Sequence, residues 1–199
     1  MRVFCLYPVI RKKMAQLPEG PYIIVANHTS YLDIFLMYSI LPKHPFLFLG
    51  KGEILNYPII KTYFKGLNIP VHRTDRVKAA KSFIQAKKAV EEGWSIVIFP
   101  EGGIPDFDNP KMVPFKNGAF RLAKELKIPI IPITFTNHYQ LFSDPTQVLG
   151  PARPGFSHVH IHPFLSKERI NSLTEKDLSD VCFDIINEPI LKENPQFKS

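Results

Sequence analysis

The chain has 199 residues, 45% of them hydrophobic, with 25 Lys and Arg against 18 Asp and Glu for a formal net charge of +7. That length suits one domain and that apolar fraction excludes a disordered chain, while the charge favours an anionic partner: nucleic acid, an acidic membrane surface or a phosphorylated substrate. The basic residues form no arginine-rich run and no nucleic-acid motif is visible, so no nucleic-acid partner is expected.

The start, MRVFCLYPVIRKKM, lacks the apolar length and cleavage site of a signal peptide. Residues 1–17 read as an interfacial segment or as the end of a truncated N-terminal one. Strand-like runs then follow as YIIVAN, FLFLGK, LNIPVHR, SIVIFP, IPIIPITF and HVHIHPF. Several are continuously apolar, as in strands covered on both faces. Prolines flank them (Pro70, Pro100, Pro129, Pro132) and read as marks of strand ends or edges. Between the strands, Val77 to Glu92 carries Val77, Ala80, Phe83, Ile84 and Val90 at helical spacing and meets Gly93, a natural residue just past a helix end. Phe115 to Leu126 repeats Phe120, Ala123 and Leu126. Thr174 to Leu191 opens with a capping box, Thr174-x-x-Asp177. Alternating strands and helices predict an α/β fold: a single domain over residues 1–199 with a mostly parallel central sheet flanked by helices.

Tyr31 to Phe64 mixes aromatic and aliphatic residues with Lys43, Lys51 and Lys61. It reads either as a core helix followed by a core strand or as a face that meets a membrane, rings beneath the headgroups and cations among their phosphates. No run reaches the roughly 18 apolar residues of a membrane span. Cys5 and Cys182 lie in apolar stretches and read as buried thiols of a reducing compartment.

Chemistry concentrates in VANHTSYLDIF. His28 and Asp33 stand five positions apart, which on one regular helix separates their side chains by ~140°. They can meet only if His28 belongs to the loop after the YIIVAN strand and the helix starts beyond it. Ser30-x-x-Asp33 is a capping-box pattern that predicts such a start, with Ser30 as N-cap. The pair then reads in two ways. Asp33 caps the helix and His28 is an ordinary loop histidine, or Asp33 fixes one imidazole nitrogen as donor and leaves the other as a general base. No G-x-S-x-G elbow and no C-x-x-C are present, and no second histidine lies at ligand spacing, which disfavours a nucleophilic triad and a zinc site. His44, His72, His138, His158, His160 and His162 receive no catalytic role, the last two fitting the outer face of a strand. FPEGG places Glu101, Gly102 and Gly103 beyond another strand, and GLNIPVHR places Arg73 at a strand end as a fork suited to phosphate.

NHTSYLD, GLNIPVHR, FPEGG and IPIIPITF, in this order, resemble the four ordered blocks of the glycerolipid acyltransferases of the lysophosphatidic acid (1-acylglycerol-3-phosphate) type. The likeness covers about Pro18 to Phe135, and more weakly extends through GPARPG. It implies a glycerol-phosphate acyltransferase-like fold, His28 and Asp33 as the catalytic dyad, and Arg73 on the acceptor phosphate. It also implies Glu101 and Gly102, with Gly103 beside them, at the acceptor site, and Pro132 as a structural element near the acyl channel. The third block usually reads E-G-T-R, whereas Ile104 stands here where the arginine is usual. Lys51 or Lys116 would then supplement Arg73, or the acceptor is another lysolipid such as a lyso-aminolipid. The implied reaction moves an acyl group from acyl-acyl carrier protein or acyl-CoA to a lysophospholipid hydroxyl, with no bound cofactor and no metal. The oxyanion would be held by backbone N–H groups of the loop or helix start after His28. Peripheral attachment to an anionic membrane on its cytoplasmic side, or anchoring there by an N-terminal segment missing from this sequence, is the expectation that goes with the same likeness. A non-catalytic membrane-binding module of the same fold is the competing expectation.

Overall fold

The computed structural model describes residues 8–42, 44–51, 68–71, 75–105, 109–142 and 152–197. Arg73, Cys5 and residues 52–64 of the aromatic segment lie outside them, as do the side chains of Lys51 and of residues 11–14.

The described strands are β1 (Val9–Met14), β2 (Ile23–Ala26), β3 (Phe46–Lys51), β4 (Asn68–Val71), β5 (Ser95–Ile98), β6 (Ile130–Phe135) and β7 (Ser157–Ile161). They form one sheet in the order β1-β7-β6-β2-β5-β3-β4. Neighbours from β6 to β4 run parallel, β7 lies antiparallel to β6, and β1 is parallel to β7. The expected α/β architecture with a mostly parallel sheet is therefore the observed one. The described α-helices are α1 (Leu32–Ile40), α2 (Arg76–Glu91), α3 (Gly118–Leu126), the one-turn α4 (His138–Leu141), α5 (Lys167–Ser172) and α6 (Glu175–Glu193).

Each central strand is apolar on both faces because both faces are covered. Ile24, Val97 and Ile133 pack toward Ile34, Met37 and Ile40 of α1. Ile23, Ile96 and Ile130 pack on the other side among Ala119 and Leu122 of α3 and Cys182 and Ile186 of α6. α2 ends as its sequence predicts. Gly93 adopts φ +90°, its N–H reaches Val90 O, and Trp94 N–H reaches Ala89 O. These two bonds close a Schellman motif that a Cβ at residue 93 would strain. Thr174 and Asp177 form the predicted capping box at the start of α6.

The structure narrows or changes several expectations. Val9–Met14, within the segment read as interfacial or as the end of a truncated one, pairs with β7 and completes the sheet edge, and Pro8 O accepts the Ser157 N–H. Residues 31–42 and 44–51 are core more than surface. Leu32, Leu36, Met37, Phe46 and Phe48 are buried, and no large hydrophobic residue described there is exposed, as the core-helix and core-strand reading requires. Pro132 sits mid-strand in β6, away from any strand end. Its carbonyl accepts His162 N–H on the β7 side, so its ring nitrogen also points there, where β7 has already ended, and the ladder to β2 is untouched. His162 is buried beyond the end of β7 against Thr134 (2.8 Å), while His158 and His160 pair with Glu193 at the end of α6 (3.0 and 2.9 Å).

Candidate active site

The loops that follow β2, β5 and β6 converge at one edge of the sheet, the carboxyl ends of its parallel strands, where α/β folds hold ligands. Asn27 pins two of them together. Its amide donates to Phe135 O (2.9 Å) and its carbonyl accepts Phe135 N–H (2.8 Å), extending the β2–β6 ladder by a side chain.

His28 comes next and stays out of the helix, as the spacing requires. Its Nδ1 lies 2.9 Å from Asp33 Oδ2. The same oxygen accepts the N–H groups of Thr29 (2.6 Å) and Ser30 (2.9 Å). One carboxylate thus both caps the turn and grips the imidazole. The cap differs in detail from the predicted box. α1 starts at Leu32, one residue later than Ser30 as N-cap implies, and the Ser30 hydroxyl accepts from Leu32 N (3.1 Å) and donates to Phe142 O (2.5 Å).

Asp33 is fully buried. Burial alone would push its carboxyl up, but hydrogen bonds from His138 and His28, together with the charge they can carry, outweigh it and hold the group below its ordinary value. The carboxylate can only accept, so His28 donates from Nδ1 and, as neutral imidazole, keeps an open lone pair on Nε2. No described residue hydrogen-bonds Nε2. The ring stacks on Phe99 at 4.2 Å between centroids, and the His28 side chain is 11% exposed. An imidazole held at Nδ1 by a buried carboxylate, with no described partner at Nε2, is equipped to take a proton from a hydroxyl.

The structure sets Glu101 behind this loop. Its Oε1 accepts the His28 N–H (2.7 Å) and its Oε2 the Val113 N–H (3.1 Å). Burial pushes its carboxyl up to about 7, those two N–H groups pull it partly back, and the Asp33 charge adds to the rise. Gly102, at φ +93°, turns the chain so that its N–H meets Phe99 O (3.0 Å). Three of the backbone donors after His28 are engaged within the loop: those of Thr29 and Ser30 on Asp33, that of Leu32 on the Ser30 hydroxyl.

Phe99 also walls a cavity of about 220 Å³, lined chiefly by Leu49, Val71, Phe83 and Ile98 with Lys116 beside them. Lys116 is therefore near the site, while Pro132 is not among the residues lining this cavity. The backbone of Lys51 ends β3 at the same sheet edge.

One residue escaped the sequence. His138, opening α4 after β6, is buried with its Nδ1 2.6 Å from Asp33 Oδ1 and its Nε2 2.5 Å from Ser157 Oγ. It lies 105 positions from Asp33, so no spacing rule links them. The available signal was the repeated dipeptide Asn27-His28 and Asn137-His138, each just past a parallel strand.

The family model described as Acyltransferase matches residues 9–136. The chain belongs to the acyltransferase family. Among curated proteins it is 32% identical to a 1-acyl-sn-glycerol-3-phosphate acyltransferase of Chlamydomonas reinhardtii, over 74% of this chain and 43% of that protein. It is 34% identical to the Saccharomyces cerevisiae protein of the same name, over 64% of this chain and 42% of that one. It is 30% identical to the alpha form from Mus musculus, over 76% and 52%. The chain thus spans about half the length of these relatives. In fold it is similar to the crystal structure of the 1-acyl-sn-glycerophosphate (LPA) acyltransferase from Thermotoga maritima, with a TM-score of 0.77 at 19% identity, covering 99% of this chain and 76% of that one.

Proposed function

We propose that this protein transfers a fatty acyl group from an acyl thioester to the free hydroxyl of 1-acyl-sn-glycerol-3-phosphate, giving phosphatidic acid, with His28 as general base. The observation that carries the reading is the buried Asp33 carboxylate on His28 Nδ1, which leaves Nε2 open at the carboxyl edge of the sheet. Family membership and the names of the relatives supply the substrate class.

In this mechanism His28 Nε2 takes the hydroxyl proton as the oxygen attacks the thioester carbonyl carbon. The tetrahedral intermediate collapses with cleavage of the C–S bond, and His28 returns the proton to the departing thiolate of coenzyme A or acyl carrier protein. Asp33 stays ionised and stabilises the imidazolium. General-base action of this kind is worth on the order of 10²- to 10⁴-fold. Arg73, helped by Lys51 and Lys116, binds the acceptor phosphate, and the Glu101-Gly102-Gly103 turn forms part of the acceptor site. The Phe99 cavity suits part of an acyl chain, being walled mostly by apolar side chains. No helix among the described residues is long and apolar enough to cross a membrane, and the net positive charge supports peripheral contact with an anionic bilayer, where the acceptor resides.

Ile104, at the position where the family's arginine is usual, is the one feature favouring a different acceptor. Mass spectrometry of products from an acyl thioester offered with lysophosphatidic acid, other lysophospholipids and lyso-aminolipids decides it. Phosphatidic acid as the dominant product supports the reading. Product on another acceptor alone moves the substrate and keeps the dyad. Absence of thioester consumption with every acceptor overturns the reading.

A further inference from the structure

Asp33 distributes its two oxygens unequally. Oδ2 takes three donors, from Thr29, Ser30 and His28, whereas Oδ1 takes one among the described residues, the Nδ1 of His138. Both rings and the carboxylate are out of solvent or nearly so, with the His138 side chain at 0%. A buried carboxylate oxygen without a donor is strongly disfavoured, so the bond to His138 decides how the carboxylate sits.

The second histidine is itself held from two further sides. Its ring stacks on Phe135 at 4.6 Å. Since Asp33 can only accept, Nδ1 of His138 donates, and a neutral ring then needs a donor at Nε2. The Ser157 hydroxyl, 2.5 Å away, supplies it. Hydrogen bonds therefore run from Ser157 O–H to His138, and from His138 N–H to Asp33, with every buried group satisfied and no positive charge required on His138. The Asp33 charge is left for His28. β7 delivers Ser157 to this spot because it alone of the strands beside β6 runs antiparallel, bringing its first residue to the edge where β2 and β6 end.

We propose that His138 is a positioning residue of this site: with Ser157 behind it, it fixes the Asp33 carboxylate so that Oδ2 remains on His28 Nδ1 and the His28 tautomer with a free Nε2 is enforced. The proposal rests on the acyl-transfer reading for its kinetic consequence, though not for the hydrogen-bond arrangement itself. Partners that orient a catalytic or metal-bound ligand from behind commonly matter by about 10- to 100-fold.

The test compares wild type with His138→Phe, which fills the space without a donor, and His138→Asn, whose amide N–H can stand where Nδ1–H stood. The first readout is nitrogen-15 NMR of histidine-labelled protein. Wild type is expected to show His28 protonated at Nδ1 and bare at Nε2, His138→Phe a mixture of tautomers, and His138→Asn a return to the wild-type signature. The second is turnover of an acyl-CoA with lysophosphatidic acid, where His138→Phe should lose about 10- to 100-fold in kcat with KM within about twofold, and His138→Asn should recover most of it. A His138→Phe protein that retains the single His28 tautomer overturns the proposal. So does one that keeps wild-type kcat where wild type is active. If wild type consumes no thioester, the acyl-transfer reading fails alone, and the tautomer result still decides the role of His138. Should His138→Phe fail to fold, Ser157→Ala serves instead, with loss of the single His28 tautomer supporting the proposal and its full retention overturning it.

Discussion

Glu101 gives the sharpest thermodynamic prediction. Folding moves its carboxyl from an ordinary 4.5 up to about 7, because it is buried behind the His28 loop. A carboxyl raised in the folded state favours the protonated form, so its stabilising effect is full below the unfolded value and is lost as pH rises through the folded one. Between about pH 4.5 and pH 7 that loss amounts to about 3 kcal/mol, at 1.4 kcal/mol for each tenfold step. Glu101→Gln is isosteric and cannot titrate. It sacrifices one of the two acceptors for His28 N–H and Val113 N–H, at a cost of about 1–3 kcal/mol that does not change with pH in this range. Urea unfolding of both proteins from pH 4.5 to 8 isolates the difference, since every other titrating group is common to them. The wild-type advantage over the variant should shrink by about 3 kcal/mol as pH rises across the window. Parallel stability curves would refute the buried, uncharged-favouring environment assigned to Glu101.

Asp33→Asn should lower acyl transfer by about 10⁴-fold, because an amide cannot accept from both His28 and His138 and the His28 tautomer is lost; steady-state kinetics on the folded variant measures it. Asn27→Ala removes both hydrogen bonds to the Phe135 backbone in a dry setting and should destabilise the fold by about 2–4 kcal/mol, read by denaturant melts. Binding to anionic vesicles should weaken as salt rises from low to physiological ionic strength; flotation that shows no binding at low salt removes the peripheral-membrane proposal.

The strands that carry the site were legible because parallel strands buried on both faces are written as apolar runs, and YIIVAN, SIVIFP and IPIIPITF are such runs. The start of α1 was nearly legible. A carboxylate three residues beyond a serine marks a helix mouth, but the structure shifts the start by one because Ser30 gives its hydroxyl to Phe142 O as well. Pro132 misled, since a missing N–H matters only on a side with a strand to pair. The aromatic density of Tyr31 to Phe64 left two readings open, because composition cannot distinguish rings that pack inward from rings that face a bilayer; in the described part they pack inward. His138 was illegible for a stronger reason. Its partnership with Asp33 exists only because β6 lies beside β2 in the sheet, and strand order is a property of the assembled fold. Glu101 was singled out by its place after β5. That both its oxygens hold backbone N–H groups needed the three-dimensional loop.

The central claim is that His28 Nε2 removes the acceptor proton. It is tested most directly by measuring acyl transfer from an acyl-CoA to lysophosphatidic acid with wild type and His28→Ala side by side. The account predicts phosphatidic acid from wild type and a rate lower by at least about 10²-fold in the variant, whose fold is retained. Near-normal phosphatidic acid production by His28→Ala would contradict it and return Asp33 to the plain role of a helix cap.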